Sequence, residues 1–89
     1  MKVRLKTNFD VWEKQGEVEM GLQDTLRGLL DRLSAKSHVP IIDPKTGDVD
    51  ELIFVRVNGR EHFVLPQRLD TPLHDGDEVG IELIFLAGG

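Results

Sequence analysis

The sequence ends Leu86-Ala87-Gly88-Gly89, and a terminal glycine pair is suited to one kind of chemistry. Neither residue has a Cβ, so the backbone reaches conformations closed to other residues and can enter a narrow channel with contact on all sides. The reactive group is then the carboxylate of Gly89. With a reference pKa of about 3.5 it is an anion at neutral pH, and a poor electrophile until one oxygen becomes a leaving group. Adenylation by ATP would give a mixed anhydride, from which a sulfur donor would leave a thiocarboxylate and an amine would leave an amide. Gly89 is therefore the candidate reactive residue, with Gly88 giving it passage.

Other constellations are weaker. There is no cysteine, which excludes a thiolate zinc site, a cysteine-ligated iron–sulfur cluster, a disulfide framework and a cysteine nucleophile. His38, His62 and His74 lack metal-ligand spacing, so no metal site is expected. Asp43, Asp48, Asp50 and Glu51 form an acidic loop, but Lys45 stands where a calcium loop needs a ligand. Asp75, Asp77 and Glu78 are what a turn before a strand favours anyway. No nucleophile with a general base is evident, nor any glycine-rich phosphate cradle. The chain is expected to be no enzyme and to bind no cofactor; ATP and magnesium would belong to an activating partner.

Eighty-nine residues suffice for a single small domain, 1–89, with a flexible Gly-Gly tail. Eleven Lys and Arg against sixteen Asp and Glu give a net charge of -5. That is the wrong sign for phosphate-dominated nucleic-acid binding and suits a protein partner with a basic rim. The longest apolar run, Ile81 to Ala87, is interrupted by Glu82 and far too short to span a bilayer. Lys2, Arg4 and Lys6 alternate with Val3 and Leu5 rather than opening a signal peptide. A soluble cytoplasmic protein without membrane contact is expected.

Hydrophobic periodicity supplies the elements that position the tail. Lys2 to Phe9 alternates with period two, Val3 and Leu5 inward, as does Glu17 to Leu22, with Val18, Met20 and Leu22 on one face. The connection carrying Trp12 and Gly16 would be a hairpin turn, and basic Lys2, Arg4 and Lys6 would face acidic Glu17 and Glu19. The period then changes: Leu26, Leu29, Leu30 and Leu33 make one helical stripe running to about Lys36, with Asp24 as the N-cap. Gly28 inside the helix reads as a tolerated weakness of about 1 kcal/mol. Ser37 to Glu51 reads as a long loop. Leu52 to Val57 is a third strand, Asn58-Gly59 a tight turn into a fourth at Glu61 to Leu65, and Asp75-Gly76-Asp77 a turn into the last, Val79 to Leu86. One helix with one apolar face asks for a single sheet covered on one side, an α+β roll with the first and last strands side by side and parallel at its centre.

The hairpin Val55-Arg56-Val57-Asn58-Gly59-Arg60, the turn Leu73-His74-Asp75-Gly76-Asp77-Glu78-Val79 and the terminal Gly88-Gly89 together resemble the β-grasp sulfur carriers, which include molybdopterin synthase small subunits and the thiamine-biosynthesis carrier. The resemblance extends over most of the chain. It implies a ubiquitin-like β-grasp fold, a mixed four- to five-stranded sheet packed by one main helix. It also implies a carrier whose last glycine is adenylated by a ubiquitin-activating-type enzyme and converted to a thiocarboxylate. The sulfur would pass to a biosynthetic partner such as a molybdopterin synthase large subunit, for molybdopterin or tungstopterin. The thiamine and cysteine pathways, and conjugation of Gly89 to lysines of target proteins, are the alternatives. Phe85-Leu86-Ala87 stands where molybdopterin synthase subunits often carry a proline-containing segment.

A docking face follows from alternation alone. Ile84 and Leu86 point opposite to Leu83 and Phe85, and Phe54 opposes Val55. Phe54, Ile84 and Leu86, with Ala87 in the tail, are the candidate partner-binding residues, unless the long loop buries them.

Overall fold

The computed structural model describes residues 2–7, 16–21, 24–36 and 41–84. Five strands and one helix follow one another as β1 (Lys2–Thr7), β2 (Gly16–Glu19), α1 (Leu26–Lys36), β3 (Ile53–Val57), β4 (Arg60–Glu61) and β5 (Glu78–Leu83), with short 3₁₀ turns at His62–Val64 and Arg68–Asp70. The sheet order is β2-β1-β5-β3-β4. The first and last strands are parallel neighbours at its centre, Leu5 opposite Val79 and Thr7 opposite Ile81, and β3 runs antiparallel to β5 on the other side. This is the arrangement that the alternation and the single helix require.

One face of the sheet is dry. Val3 and Leu5 of β1, Val18 of β2, Ile53, Val55 and Val57 of β3, and Val79 and Ile81 of β5 are buried against the helix. Leu26, Leu29, Leu30 and Leu33 are each 0% exposed. Removing such a side chain from water contributes about 2 kcal/mol, so this leucine stripe and the alternating strand residues are the main source of stability.

The helix start differs from the expectation. Asp24 does not cap it: its Oδ2 accepts the N–H of Gly21 at 2.7 Å. The hydroxyl of Thr25 accepts the N–H of Gly28 at 3.3 Å instead, the N-cap geometry one residue later. Backbone bonds from Leu26 N to Thr71 O and from Leu73 N to Asp24 O fasten this end to the segment before β5. The 37–51 loop is also more ordered than its composition suggested, within residues 41–50. Ile42 bridges Val49, the N–H of Gly47 returns to Asp43 O at 2.8 Å, and the Asp43 carboxylate receives the N–H of Lys45. Ser34 of α1 accepts the N–H groups of both Ile41 and Ile42, and Ile41 enters the core at 0% exposure.

At the β3–β4 turn Asn58 and Gly59 have φ of 52° and 83°, the positive values a tight hairpin needs. The Asn58 side chain does more than tolerate this. Its Nδ2 donates to Asp77 Oδ1 at 3.0 Å and its Oδ1 accepts the N–H of Glu78 at 2.9 Å. The hairpin is thus clasped to the Asp75-Gly76-Asp77 turn, which in turn holds the start of β1 through Lys2 N to Asp75 Oδ1 and Arg4 N to Asp77 O.

The fourth strand is shorter than expected. It ends at Glu61, and a 3₁₀ turn replaces the predicted strand to Leu65. Alternation would have sent Phe63 inward with Leu65; the chain bends so that Leu65 reaches the core while Phe63 does not. The strand expected at Glu17 to Leu22 ends at Glu19, and the one expected at Lys2 to Phe9 is present over its described residues, Lys2–Thr7. Met20 is nevertheless buried; Phe9, Trp12 and Leu22 lie outside the described residues.

Two stability predictions follow from backbone positions. At Gly28 an added Cβ would meet nothing nearer than the Thr25 hydroxyl at 3.8 Å, so Gly28→Ala raises stability by about 0.5–1 kcal/mol, measured by chemical denaturation. Arg68 occupies the left-handed region at φ 48° without being Gly or Asn. Arg68→Gly relieves roughly 1 kcal/mol of strain and raises the melting midpoint.

Candidate docking face and carrier tail

The sheet face away from the helix is open and follows the opposite parity. It presents Lys2, Arg4 and Lys6 on β1, Glu17 and Glu19 on β2, Glu78, Gly80 and Glu82 on β5, and Phe54 and Arg56 on β3. Basic and acidic strands alternate, and the register sets Lys2 opposite Glu19, Arg4 between Glu17 and Glu78, and Phe54 opposite Glu82. Ion pairs cross the strands from Lys6 to Glu78 at 3.3 Å and from Lys2 to Glu17 at 3.9 Å. Pairs so exposed contribute about 0–1 kcal/mol each; their effect is to fix register and to leave a charge-ordered surface.

The apolar part of this face lies at the β3–β5 end from which the tail departs. Phe54 is 41% exposed, and Leu52, on the same parity two residues earlier, is 40% exposed. Ile84 is half-buried and still zipped to β3, its N–H donating to Leu52 O at 2.8 Å. The expected opposition of Phe54 to Val55 is present, since Val55 is fully buried. Leu52 was not singled out from sequence, although it shares parity with Phe54. Leu86, Ala87, Gly88 and Gly89 lie outside the described residues, as does Phe85; the strand described ends at Leu83 rather than Leu86.

Arg56 borders the patch and organises it. Its Nε donates to Glu61 Oε1 at 2.9 Å, its Nη1 to Glu82 Oε1 at 3.2 Å, and its guanidinium lies 5.7 Å from the centre of the Phe54 ring, within cation–π range. The other Glu61 oxygen is buried without a partner. Between Arg56 and Lys6 the register places Gly80, and there a shallow hollow of about 250 Å³ opens on the sheet.

Among the described residues no group of three His, Asp or Glu could hold a metal ion. His74 is an exposed turn residue beside Asp77, His62 is largely buried beside Phe63, and His38 lies outside the described residues. No described helix is long and apolar enough to cross a membrane.

No protein-family model matches the sequence. Nor does any curated protein match it. Solved structures do. The solution structure of the HVO 2177 protein of Haloferax volcanii is similar over 100% of this chain and 87% of its own, at 26% identity and a TM-score of 0.71. Urm1 from Trypanosoma brucei is similar over 99% and 95%, at 23% identity and 0.71. The small archaeal modifier protein 1 of H. volcanii is similar over 94% and 98%, at 20% identity and 0.63. With one helix on a mixed five-stranded sheet, these likenesses show that the chain has the ubiquitin-like β-grasp fold.

The exposed patch and the buried face respond differently to charge. Phe54→Asp and Ile84→Asp leave the folded circular-dichroism spectrum intact with a loss of no more than about 1 kcal/mol in chemical denaturation, whereas loss of the folded spectrum in Ile84→Asp would place that residue in the core.

Proposed function

We propose that this chain is a sulfur carrier acting through the carboxylate of Gly89. A ubiquitin-activating-type enzyme, using ATP and magnesium, transfers adenylate to that carboxylate with release of pyrophosphate. A sulfide-level nucleophile displaces AMP, leaving a thiocarboxylate that a biosynthetic enzyme consumes. Molybdopterin or tungstopterin synthesis is the leading destination, and thiamine or cysteine synthesis the other.

The observation that supports this reading best is the placement of β5. The strand that leads to the glycines is bonded on both sides, to β1 and to β3, and it ends beside Leu52, Phe54 and Ile84. The five residues that follow Ile84, Phe85 to Gly89, reach roughly 17 Å when extended. A partner holding the apolar patch is therefore within reach of Gly89. The hollow at Gly80 and the ordered charges around it give that partner orientation as well as area.

A second reading, attachment of Gly89 to lysines of target proteins, is favoured by one comparison. The H. volcanii protein of like fold is a small archaeal modifier. Both readings share the adenylate and diverge at the nucleophile, sulfur in one and an amine in the other.

Intact-mass measurement separates them. The chain is first shown to end at Gly89, then incubated with an activating enzyme, ATP, magnesium and sulfide. Exchange of one oxygen for sulfur is the expected result, and amide conjugates to other proteins are the result expected of a modifier. Deleting Gly89 abolishes either product; sulfur transfer that survives the deletion overturns the assignment.

A further inference from the structure

The segment from Arg60 to Arg68 does not behave as a sheet edge built only for stability. After the two residues of β4 the chain turns outward, leaving Phe63 56% and Val64 61% exposed, the highest values among the large apolar residues described. The Phe63 ring stands edge-on to His62 at 5.5 Å and 80°. Two cations bracket these residues. The side chains of Arg60 and Arg68 have no hydrogen bond or ion pair among the described residues, whereas Arg27 and Arg56 are engaged by Asp70 and Glu61. Arg68 also has a left-handed backbone that glycine would hold without strain.

The surface here is concave. A cleft of about 350 Å³ has Phe63, Pro66 and Arg68 in its walls and Leu69 among its lining. A second hollow, of about 450 Å³, includes Arg60 and Leu65. Gln67 lines both, so the two hollows meet at one residue, and each has one guanidinium without a hydrogen bond or ion pair among the described residues. The carboxylates nearby are already engaged: Asp70 by Arg27 at 3.4 Å, and Asp77 by Asn58 Nδ2 and the N–H of His74. Asp48 lies 3.9 Å from His62 Nε2. On a chain of net charge -5, unpaired positive charge beside exposed aromatic surface is a local reversal.

We propose that this concave surface is a second docking site, which receives an acidic segment of a protein partner carrying one apolar anchor residue. Carboxylates of the segment pair with Arg60 and Arg68, whose planar forks match a carboxylate in two-point contact. The anchor packs on Phe63 at the mouth of the cleft; aromatic residues and arginines are the side chains that dominate such contacts. The site lies at the β4 edge of the sheet, next to the helix start and the 46–48 turn.

The test is an amide-shift titration of the ¹⁵N-labelled full chain with the peptide acetyl-Asp-Glu-Phe-Asp-Glu-amide. Two control peptides replace its Phe with Ala, or all its acids with Lys. Saturable shifts are expected at residues 46–48 and 60–70, with both controls binding weaker by about fivefold or more. Arg68→Gly and Phe63→Ser should weaken the acidic peptide by about the same factor. Arg68→Gly is the decisive variant, because it removes the guanidinium while easing the backbone, so lost affinity cannot come from lost folding. Unsaturable shifts, shifts confined to 52–56 and 80–84, equal binding of the lysine peptide, or unchanged binding by Arg68→Gly would each overturn the proposal.

Discussion

The structure depends on burial from one side only. A single helix with a single leucine stripe can dry one face of a sheet, so every strand must turn the same parity toward it, and the other face is left to solvent. The parallel pairing of β1 with β5 then becomes possible, because the helix-bearing segment between them provides the crossover that parallel neighbours need. With β5 in the middle, the last element of the chain is among the best fastened. It shares ladders with β1 and β3, and its N–H groups continue to pair as far as Ile84. The described part of the strand thus ends at a fixed place beside the apolar patch of Leu52, Phe54 and Ile84.

Two of the sequence motifs that carry the family resemblance turn out to touch. Asn58-Gly59 and Asp75-Gly76-Asp77 are 16 or more positions apart in the chain, yet one asparagine amide bridges them and the second turn pins the start of β1. Their role is structural. They close the end of the sheet opposite the tail, where β3 finishes and β5 begins, and so set the register that brings Leu52, Phe54 and Ile84 together. The motif proposed to be chemical, Gly88-Gly89, relies on the other two for its starting point.

Much of this was legible because alternation is a direct record of which face is buried. Val3, Leu5, Val55, Val79 and Ile81 lie where their spacing puts them, and the helix stripe is buried residue for residue. Three features were not legible, each for a physical reason. Asp24 and Thr25 are both good caps by type, and only the bond from Gly21 decides that the aspartate is used elsewhere. The 41–50 segment looks like polar loop because its order comes from Ser34 and from its own backbone rather than from periodic side chains. The fourth strand fails at His62 because a long-range need, bringing Leu65 into the core, overrides local strand preference. On the open face, Phe54 stood out by opposing Val55. Leu52 escaped notice because it begins its strand, where a leucine is easily read as core.

The asparagine clasp also bears on how the protein ages. An Asn-Gly pair is the sequence most prone to spontaneous deamidation, since glycine leaves its backbone nitrogen open to attack the amide. Here both ends of that amide are held by Asp77 and Glu78, which restrains the geometry for ring closure. Were the reaction to occur, the donor facing Asp77 would become a second carboxylate about 3.0 Å away, and mutual repulsion would pry the turn from the strand it secures. Chemical durability at one surface amide is thereby tied to the integrity of the whole sheet.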